Sequence, residues 1–377
     1  MMRCAIVLSD LGAGGTQRLA LGLGEHLRAR GHGVQMLTLE ASGSASFFPV
    51  PRGVGVTRLG LRQDSRGALA ALRANRTRVK YLRQVLVAAA PHLVISFLTS
   101  NNILALLAAG PLGVPVIVAE ESDPGYEPIP RPWDLLRRFT YGHASAIVVH
   151  SLGAGAFFRG KLGRSVRVIP NPVAPCPLAG VGFGPGSDRL PVVAAMGRLS
   201  PEKGFDQLIA AFARVAPQHP DWCLTILGDG PSREDLLEQA VAEGLSDRVS
   251  LPGFSEQPAA VLAQASLFCS AARVEGFGLA LCEAMACGLP VVATDAPSGP
   301  RDIVRPGIDG ELVPVGDVPA LAAAIAALIG DPTRRAAYGA RAREVTERFS
   351  HGRVWEAWDD VIASALGTNQ PTKGGMG

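Results

Sequence analysis

The sequence predicts an α/β protein with two doubly wound domains, each a parallel sheet with helices on both faces. Short runs rich in Val, Ile and Leu alternate with helix-length stretches, and this alternation occurs twice along the chain. A Pro- and Gly-rich stretch without periodicity, residues 174–191, separates the two halves. The 377 residues, 47% of them hydrophobic, suffice for two cores of ordinary size. We therefore place the domains at 1–175 and 190–350.

The first half contains five continuous apolar runs, which are typical of strands buried on both faces of a parallel sheet. These predicted strands are residues 4–8, 33–39, 93–97, 114–119 and 146–149. Helices are expected between them at 16–30 and 67–89.

The second half repeats this pattern. Its predicted strands are residues 192–196, 224–227, 249–251, 267–269 and 291–293, with helices at 205–216 and 233–243. Open α/β sheets bind ligands beyond the carboxyl ends of their strands, so we expect a ligand in a cleft between the two domains. Residues 352–366 predict a last helix, and the polar residues 367–377 predict a disordered tail.

The bulk composition excludes several classes of protein. The formal net charge of +3 is too small to indicate a nucleic-acid partner. None of the 6 cysteines forms a C-x-x-C pair, so we interpret them as buried, reduced thiols. No uninterrupted apolar run reaches the roughly 20 residues of a membrane-spanning helix, and the first apolar run is too short for a signal peptide. The expected location is therefore cytoplasmic.

The first predicted strand leads into a glycine turn, L-G-A-G-G-T-Q-R, where a helix follows. Gly14 and Gly15 let the backbone approach an anion closely, and the helix start supplies N–H groups and a positive dipole. One alternative is an NAD-dependent oxidoreductase, because Glu40 ends the second strand where an acid would hold a ribose. Its fingerprint requires a third glycine, and Gln17 stands at that position, which speaks against it. A purely structural turn is the other alternative.

The first strand of the second half leads into two basic residues, in M-G-R-L-S-P-E-K-G. Arg198 and Lys203 thus follow the carboxyl end of a strand, where two fixed cations hold a diphosphate and stabilise its charge as it leaves. The chain contains no D-x-D sequence that would supply a carboxylate pair for a metal. A transferase without such a pair needs cations instead, so no metal and no other cofactor is expected.

The segment E-G-F-G-L-A-L-C-E-A-M-A-C-G-L-P-V-V carries the strongest functional signal. Glu275 precedes Gly276 and Gly278, and a helix is predicted to begin near Leu279 and to carry Glu283. Free N–H groups at that helix start can meet phosphate or sugar oxygens. If the whole interval between the two acids were helical, its rise would be about 12 Å. That exceeds the roughly 5–9.5 Å between the paired carboxylates of a glycosidase, so we expect the acids to grip two ends of one elongated ligand.

Several motifs in a fixed order carry a resemblance to a known family. They are the glycine turn at 14–15, I-P-N-P-V at 169–173, G-R-L-x-x-x-K-G at 197–204, G-D-G-P at 228–231, E-x7-E at 275–283 and S-G-P-R-D-I-V at 298–304. Over nearly its whole length the chain resembles retaining glycosyltransferases of family 4, also called glycosyl transferases group 1. The resemblance implies the GT-B fold, with two Rossmann-like domains facing each other across a cleft and the last helix crossing back onto the first domain.

The resemblance also implies roles for individual residues. Arg198 and Lys203 would bind the donor pyrophosphate and Glu275 would face the transferred sugar, which makes these three the catalytic candidates. Glu283 would hold the ribose hydroxyls of the donor. The remaining donor-binding candidates are Gly15 in the first domain and Gly228, Gly276, Phe277, Gly278 and Leu279 in the second.

The activity that the resemblance implies is transfer of a hexosyl residue from a UDP- or GDP-linked sugar, with retention of anomeric configuration and without a metal. The family's preferred mechanism is front-face attack, in which the departing phosphate helps to deprotonate the acceptor. A non-catalytic nucleotide-sugar-binding protein is the alternative, and the intact set of cationic and acidic candidates disfavours it.

The acceptor side resembles bacterial enzymes that elongate lipid-linked or envelope saccharides, through S-F-L-T-S-N-N-I-L-A-L-L-A and V-A-E-E-S-D-P. Those enzymes often have E-R-N-D-P where this chain has E-E-S-D-P at 120–124. Glu121 therefore replaces a base with an acid. The acceptor-side candidates are Glu120 and Asp123, and the expected partner is a saccharide or a lipid-linked acceptor.

A segment rich in basic residues predicts a second binding surface. Eight basic residues and a single acid lie between Arg58 and Arg83. Arg66, Arg73 and Lys80 recur every seven residues on one side of the predicted helix. Through residues 66–83 this helix could lie on anionic lipid at the inner face of the cell membrane. The alternative is a solvated surface helix that packs only on its own sheet.

Overall fold

The chain folds into two compact units, one for each half of the sequence. The computed structural model describes residues 1–61, 68–121, 124–126, 129–162, 166–178 and 189–367. One unit comprises Met1–Pro170 with Gly352–Gly377, and the other comprises Asn171–His351. Residues 171–175 thus group with the second unit rather than the first, because Val173 is buried in its core and donates its N–H to the carbonyl of Phe349 at 2.8 Å. Most of the predicted linker, and the predicted tail beyond Gly367, lie outside the described residues.

The described residues of the first unit form one sheet of seven parallel strands. The strands are β1 Arg3–Leu8, β2 Gly33–Thr38, β3 Val54–Arg58, β4 Leu93–Phe97, β5 Val116–Glu120, β6 Ala146–Val149 and β7 Val166–Val168. Their spatial order is β3-β2-β1-β4-β5-β6-β7, so the chain winds outward from β1 in one direction and then in the other. The topological switch point lies between β1 and β4, and such points are where open α/β sheets bind ligands.

Helices cover both faces of this first sheet. They are α1 Gly15–Ala29, α2 Ala68–Ala89, α3 Thr99–Ala109, α4 Arg131–Thr140, α5 Leu152–Leu162 and the last helix of the chain, α14 His351–Ala365. On one face, Leu23 of α1 and Trp358 of α14 share a core with the strands. On the other face, Leu86 of α2, Ile103 of α3 and Phe158 of α5 form a second core. The last helix therefore packs on the first unit, although the chain has by then completed the second.

The second unit contains a sheet of six parallel strands within the part of the chain described. The strands are β8 Val192–Met196, β9 Cys223–Leu227, β10 Val249–Gly253, β11 Leu267–Ser270, β12 Val291–Thr294 and β13 Gly310–Val313. Their order is β10-β9-β8-β11-β12-β13, which puts the switch point between β8 and β11. The helices around it are α6 Phe205–Val215, α7 Arg233–Ala242, α8 Pro258–Gln264, α9 Leu279–Ala286, α10 Pro300–Ile303, α11 Val318–Gly330, α12 Pro332–Ala342 and α13 Val345–Arg348.

The ten predicted strands are all present, and none of their bounds differs from the expected one by more than two residues. The sequence does not predict β3, β7 or β13, which all lie at sheet edges. It also does not predict α3, which ends in a short 3-10 turn at Gly110–Leu112. Gly113 then takes φ 69°, a left-handed conformation that glycine adopts without strain, and leads the chain back toward β5.

Candidate active site

Three loops meet at the carboxyl edge of the second sheet, following β8, β9 and β11. Gly197 donates its N–H to the carbonyl of Leu227 at 2.9 Å, and Leu199 donates to that of Asp229, also at 2.9 Å. A methyl group at Gly228, where φ is 134°, would lie only 1.9 Å from the Gly197 carbonyl oxygen. Glycine is therefore required at Gly228 for the loop after β9 to lie against the loop after β8.

The loop after β8 also makes close contacts with the loop after β11. Arg273 donates its backbone N–H to the carbonyl of Glu202 at 2.8 Å, and its guanidinium pairs with Asp206 at 2.5 Å. Gly204, with φ 66°, approaches so closely that a methyl group there would lie 2.0 Å from the carbonyl oxygen of Ala271. These contacts bring segments some 70 residues apart in sequence into one structure.

A charged pair occupies this junction. Lys203 Nζ lies 2.8 Å from Glu275 Oε2, and the two side chains are 25% and 18% exposed. The methylene chain of Lys203 lies beside Gly197, with its Cδ 3.8 Å from the position of a Cβ there. Glu275 Oε1 also accepts the N–H of Gly276 at 3.3 Å. The structure thus brings together Lys203 and Glu275, as the sequence-based assignment of a common site requires.

Arg198 belongs to the same loop and its side chain is exposed. Its charge acts on the carboxyl of Glu202 in the same loop. Burial works against ionisation of that carboxyl, but the hydroxyl of Ser200, the backbone and the charges of Lys203 and Arg198 together hold the pKa of Glu202 below its usual value. The loop after β8 thus carries two cationic side chains, Arg198 and Lys203.

Helix α9 starts beside the charged pair. Gly278, at the N-cap, has φ 107°, and a Cβ there would lie 3.7 Å from Glu275 Cγ. No side chain among the described residues caps this helix. The first N–H groups of α9 are therefore left for a ligand or solvent, with the positive end of the helix dipole behind them. Phe277 is buried and packs edge-on against Phe349, with 5.5 Å between ring centroids.

Glu283 lies in the second turn of α9 and is half-buried. Because the helix begins at Leu279, only the second half of the interval from Glu275 to Glu283 is helical. The rise expected for a fully helical interval therefore does not apply, and the separation of the two acids depends on the Gly276–Gly278 turn.

In the first unit, side chains from the same segment of the chain hold the glycine turn through hydrogen bonds. Asp10 Oδ1 accepts the N–H of Gly12 at 3.0 Å and the amide of Gln17 at 2.9 Å. Gln17 also fills the space over Gly14, since a Cβ there would lie 2.3 Å from Gln17 Oε1. Gly15, the first residue of α1, is exposed.

Glu40, the acid that an NAD site would use, is instead bound to other residues of the first unit. It is buried, pairs with Arg58 at 3.1 Å and accepts hydrogen bonds from Leu11 N–H and the Thr38 hydroxyl. A carboxylate with these partners is poorly placed to hold a ribose, and Gln17 at the position of the third glycine likewise speaks against dinucleotide binding.

Of the two acceptor-side candidates, Asp123 lies outside the described residues. Glu120 is 2% exposed and accepts hydrogen bonds from the hydroxyls of Thr99, at 2.8 Å, and Tyr141. Burial raises the pKa of the Glu120 carboxyl, although those hydroxyls and the charge of Arg137 act in the opposite direction. This geometry favours a structural role for Glu120.

Sequence reasoning missed a polar cluster next to Glu120. The carboxylate of Glu121 pairs with His150 at 2.9 Å and accepts a hydrogen bond from Thr16 at 3.2 Å. His150 is the first residue after β6 and belongs to no motif. Its position directly after a predicted strand is the one signal that could have drawn attention to it.

Only some of the basic side chains predicted to lie on one side of α2 are seen to be exposed to solvent. Arg66 lies outside the described residues, whereas Arg73 and Lys80 are exposed. Arg83 is turned inward and donates to the carbonyls of Leu107 and Ala108 on α3, at 2.8 and 3.2 Å. Among the described helices, none combines the length and apolar character needed to cross a bilayer. In the same part of the chain no three His, Cys, Asp or Glu residues are grouped as metal ligands.

Two doubly wound sheets, one with cations and helix-start amides at its switch point, define a class of proteins that bind phosphorylated ligands. Comparison with family models makes this specific. Residues 185–345 match "Glycosyl transferases group 1", and residues 14–172 match "Glycosyl transferase 4-like domain". The two matches together cover most of the chain, which belongs to the group 1 glycosyltransferases of the GT-B fold. The predicted family and fold are thereby confirmed.

Individual relatives differ in name and in the share of their length that matches this chain. An exopolysaccharide phosphotransferase of Streptomyces coelicolor is 39% identical over 209 residues, which make up 55% of this chain but only 22% of that protein. The "GalNAc-alpha-(1->4)-GalNAc-alpha-(1->3)-diNAcBac-PP-undecaprenol alpha-1,4-N-acetyl-D-galactosaminyltransferase" of Campylobacter jejuni is 25% identical and is matched over 96% of this chain and 99% of its own length. The structure of Anabaena HepE in complex with UDP has a TM-score of 0.76 at 21% identity, with coverage of 97% and 100%.

Proposed function

We propose that this protein is a retaining, metal-independent hexosyltransferase. It moves a sugar from a UDP- or GDP-linked donor to a saccharide or lipid-linked acceptor, in the synthesis of bacterial envelope polysaccharide or glycolipid. The family supports glycosyl transfer, and the names of the Campylobacter and Streptomyces relatives point to envelope glycans. The observation that carries the proposal is the Lys203–Glu275 pair at the uncapped start of α9.

When the donor binds, Lys203 and Glu275 are proposed to separate from each other and to contact the donor instead. Lys203 and Arg198 bind the pyrophosphate together with the amides of Gly278 and Leu279, because a diphosphate carries more charge than a single carboxylate. Glu275, released from Lys203, accepts hydrogen bonds from hydroxyls of the sugar. Glu283 holds the ribose.

The chemical step then needs no group other than the substrates and these residues. The bond between the sugar C1 and the phosphate oxygen breaks, and the nucleotide diphosphate leaves with the electron pair. An acceptor hydroxyl attacks C1 on the same face and loses its proton to the departing phosphate. Arg198, Lys203 and the helix-start amides stabilise the charge that develops on that phosphate.

A thermal-shift screen of the full chain against UDP-, GDP-, ADP- and dTDP-linked sugars tests the proposal. One UDP- or GDP-sugar is expected to raise the Tm, and Lys203→Ala should remove most of the shift. Arg214→Ala, which removes an exposed cation from α6, is the matched control and should retain it. Stabilisation by none of these sugars, or an equal shift in Lys203→Ala, would overturn the proposal.

A peripheral contact with anionic membrane is a separate part of the proposal. It rests on the exposed cations Arg73, Arg76 and Lys80 of α2. Each basic side chain near an anionic surface contributes about 1 kcal/mol, so replacing all three with Gln should abolish flotation with phosphatidylglycerol vesicles. Binding that ignores both anionic lipid and salt would remove this part of the proposal and leave the catalytic part intact.

A further inference from the structure

The cluster of Glu121, His150 and Thr16 is built by the strand register of the first sheet. Glu120 of β5 is paired with Val149 of β6, so Glu121 and His150 are the next residues on two adjacent strands as both leave the sheet. Thr16 lies in the first turn of α1, directly after the glycine turn. Three separate elements therefore deliver polar side chains to one point at the carboxyl edge.

The hydrogen bonds of His150 determine where its protons lie. Nδ1 is 2.8 Å from the carbonyl oxygen of Ile169, which can only accept, so Nδ1 carries a proton. Nε2 is 2.9 Å from Glu121 Oε1, and a carboxylate oxygen also only accepts. Burial lowers the pKa of the imidazole, but Glu121, the Ile169 carbonyl and the charge of Glu120 outweigh it and raise the pKa above its usual value. Both ring nitrogens therefore face oxygens that only accept, a geometry that favours the doubly protonated imidazole beside Glu121.

A purely structural role does not account well for this pair. Burying two charges is costly, and an apolar pair of similar volume commonly stabilises a fold as well or better. His150 is 2% exposed, but the side chain of Glu121 remains 10% exposed at the edge of the sheet. Among the described residues, each of its oxygens has one hydrogen bond, to His150 or to Thr16, and a carboxylate oxygen can accept a second. Glu121 is therefore a carboxylate in a fixed orientation with acceptor capacity left.

We propose that Glu121 binds the acceptor, by accepting a hydrogen bond from a hydroxyl of a neutral sugar ring, and that His150 and Thr16 position its carboxylate. The inference rests on the proposed function, since it concerns the second substrate of the same reaction. The carboxylate oxygens of Glu121 only accept hydrogen bonds, as phosphate oxygens do, so this point binds a hydroxyl of the sugar part of an acceptor and not the phosphate of a lipid carrier.

The test uses the full chain and the nucleotide sugar that raises its Tm. Nucleotide release is measured with a panel of neutral octyl glycosides and with the corresponding sugar phosphates. At least one neutral glycoside is expected to stimulate release. Glu121→Gln should raise the KM for that glycoside by about 10- to 100-fold, as expected for the loss of a hydrogen bond to a charged group, and should change kcat by less than about threefold. Glu25→Gln, the same change at an exposed site on α1, should match the wild type.

The positioning role of His150 is tested with two substitutions. Phe removes both donors at similar size, and Gln retains one donor. The KM should rise strongly in His150→Phe and be largely restored in His150→Gln, a recovery that simple filling of space would not give. If His150→Phe does not fold, ¹⁵N NMR of the wild-type imidazoles replaces it, and the glycoside should then shift the His150 resonances.

The outcomes separate this inference from the function on which it rests. Absence of a stabilising nucleotide sugar removes the proposed function, and the inference with it, before any acceptor is added. If a donor binds, the inference alone is overturned by stimulation from sugar phosphates only or from no glycoside. It is also overturned by an unchanged KM in Glu121→Gln, or by NMR resonances of His150 that do not respond to the glycoside.

Discussion

Apart from the additional edge strand β7, the two sheets share one strand order, yet their carboxyl edges present different charged groups. The edge of the second sheet presents Lys203, an exposed Arg198 and uncapped amides of α9. The edge of the first presents the carboxylate of Glu121, held by Thr16 and His150, with the buried carboxyl of Glu120 next to it in sequence. A doubly wound sheet thus fixes where a ligand can bind, whereas the loops decide which charge it may carry.

The largest expected effect tests the cationic edge. Arg198→Ala should lower turnover by about 10²–10³, by analogy with removal of one donor from an oxyanion hole, because Arg198 stabilises charge that develops on the leaving phosphate. Steady-state kinetics on a folded protein measures it. Arg214→Ala on α6 removes the same charge elsewhere and serves as the control. Near-normal turnover in Arg198→Ala would mean that the two edges do not differ in the way described.

The glycines of the two edges should respond differently to an added methyl group. In Gly204→Ala the methyl would meet the backbone of Ala271 at 2.0 Å with φ at 66°, so we expect a loss of about 3 kcal/mol or more. In Gly14→Ala it would meet only the flexible end of Gln17, and φ is an ordinary 179°, so the loss should be about 1 kcal/mol or less.

Gly244→Ala separates the two causes of strain at Gly204. Gly244 has φ 70° but open space around it, so it isolates the backbone cost of about 1–2 kcal/mol. Thermal unfolding of the three variants should give the order Gly204→Ala, Gly244→Ala, Gly14→Ala, from the least to the most stable. Equal Tm values for the first two would show that close approach of the loops is not what requires glycine at Gly204.

The smallest expected effects are opposite pH dependences of the two edges. The pKa of His150, beside Glu121 and Glu120, is raised from 6.5, so its stabilisation is complete below that value and is lost as pH rises through the folded pKa. Burial opposes ionisation of Glu202, but the Ser200 hydroxyl, the backbone and then the charges of Lys203 and Arg198 lower its pKa from 4.5. Its stabilisation is therefore present above that value and is lost as pH falls through the folded pKa.

Tm measurements across pH compare these contributions. The advantage of the wild type over His150→Gln should shrink from about pH 6 upward, and its advantage over Glu202→Gln should shrink from about pH 5 downward. Two parallel profiles would contradict the assignment of opposite charge to the two edges.

How well a strand or helix could be predicted from the sequence depended on how deeply its residues are buried. Strands such as β4 and β12 are buried throughout, so they appear as continuous apolar runs. The edge strands β3 and β7 are only partly buried, and their mixed residues resemble loops. The helix start at Leu279 was predictable because glycines precede an apolar stretch that a helix can bury.

The contacts within the sites were less predictable. Lys203 and Glu275 could be assigned to one site through the family resemblance, but their pairing depends on β8 lying beside β11, which a single sequence does not specify. The Glu121–His150 pair depends in the same way on the register of β5 with β6. Spacing within a motif is local, whereas strand order and register are properties of the assembled sheet.

Calorimetric titration of the wild type with UDP and GDP, against UMP and GMP, tests most directly whether Arg198, Lys203 and the α9 amides bind one pyrophosphate. For the preferred base the diphosphate should bind at least about 100-fold more tightly than the monophosphate, since charge-assisted hydrogen bonds contribute about 1.5–3 kcal/mol each. The double variant Arg198→Ala/Lys203→Ala should lose most of that difference. Equal affinity for mono- and diphosphate in the wild type would contradict the account.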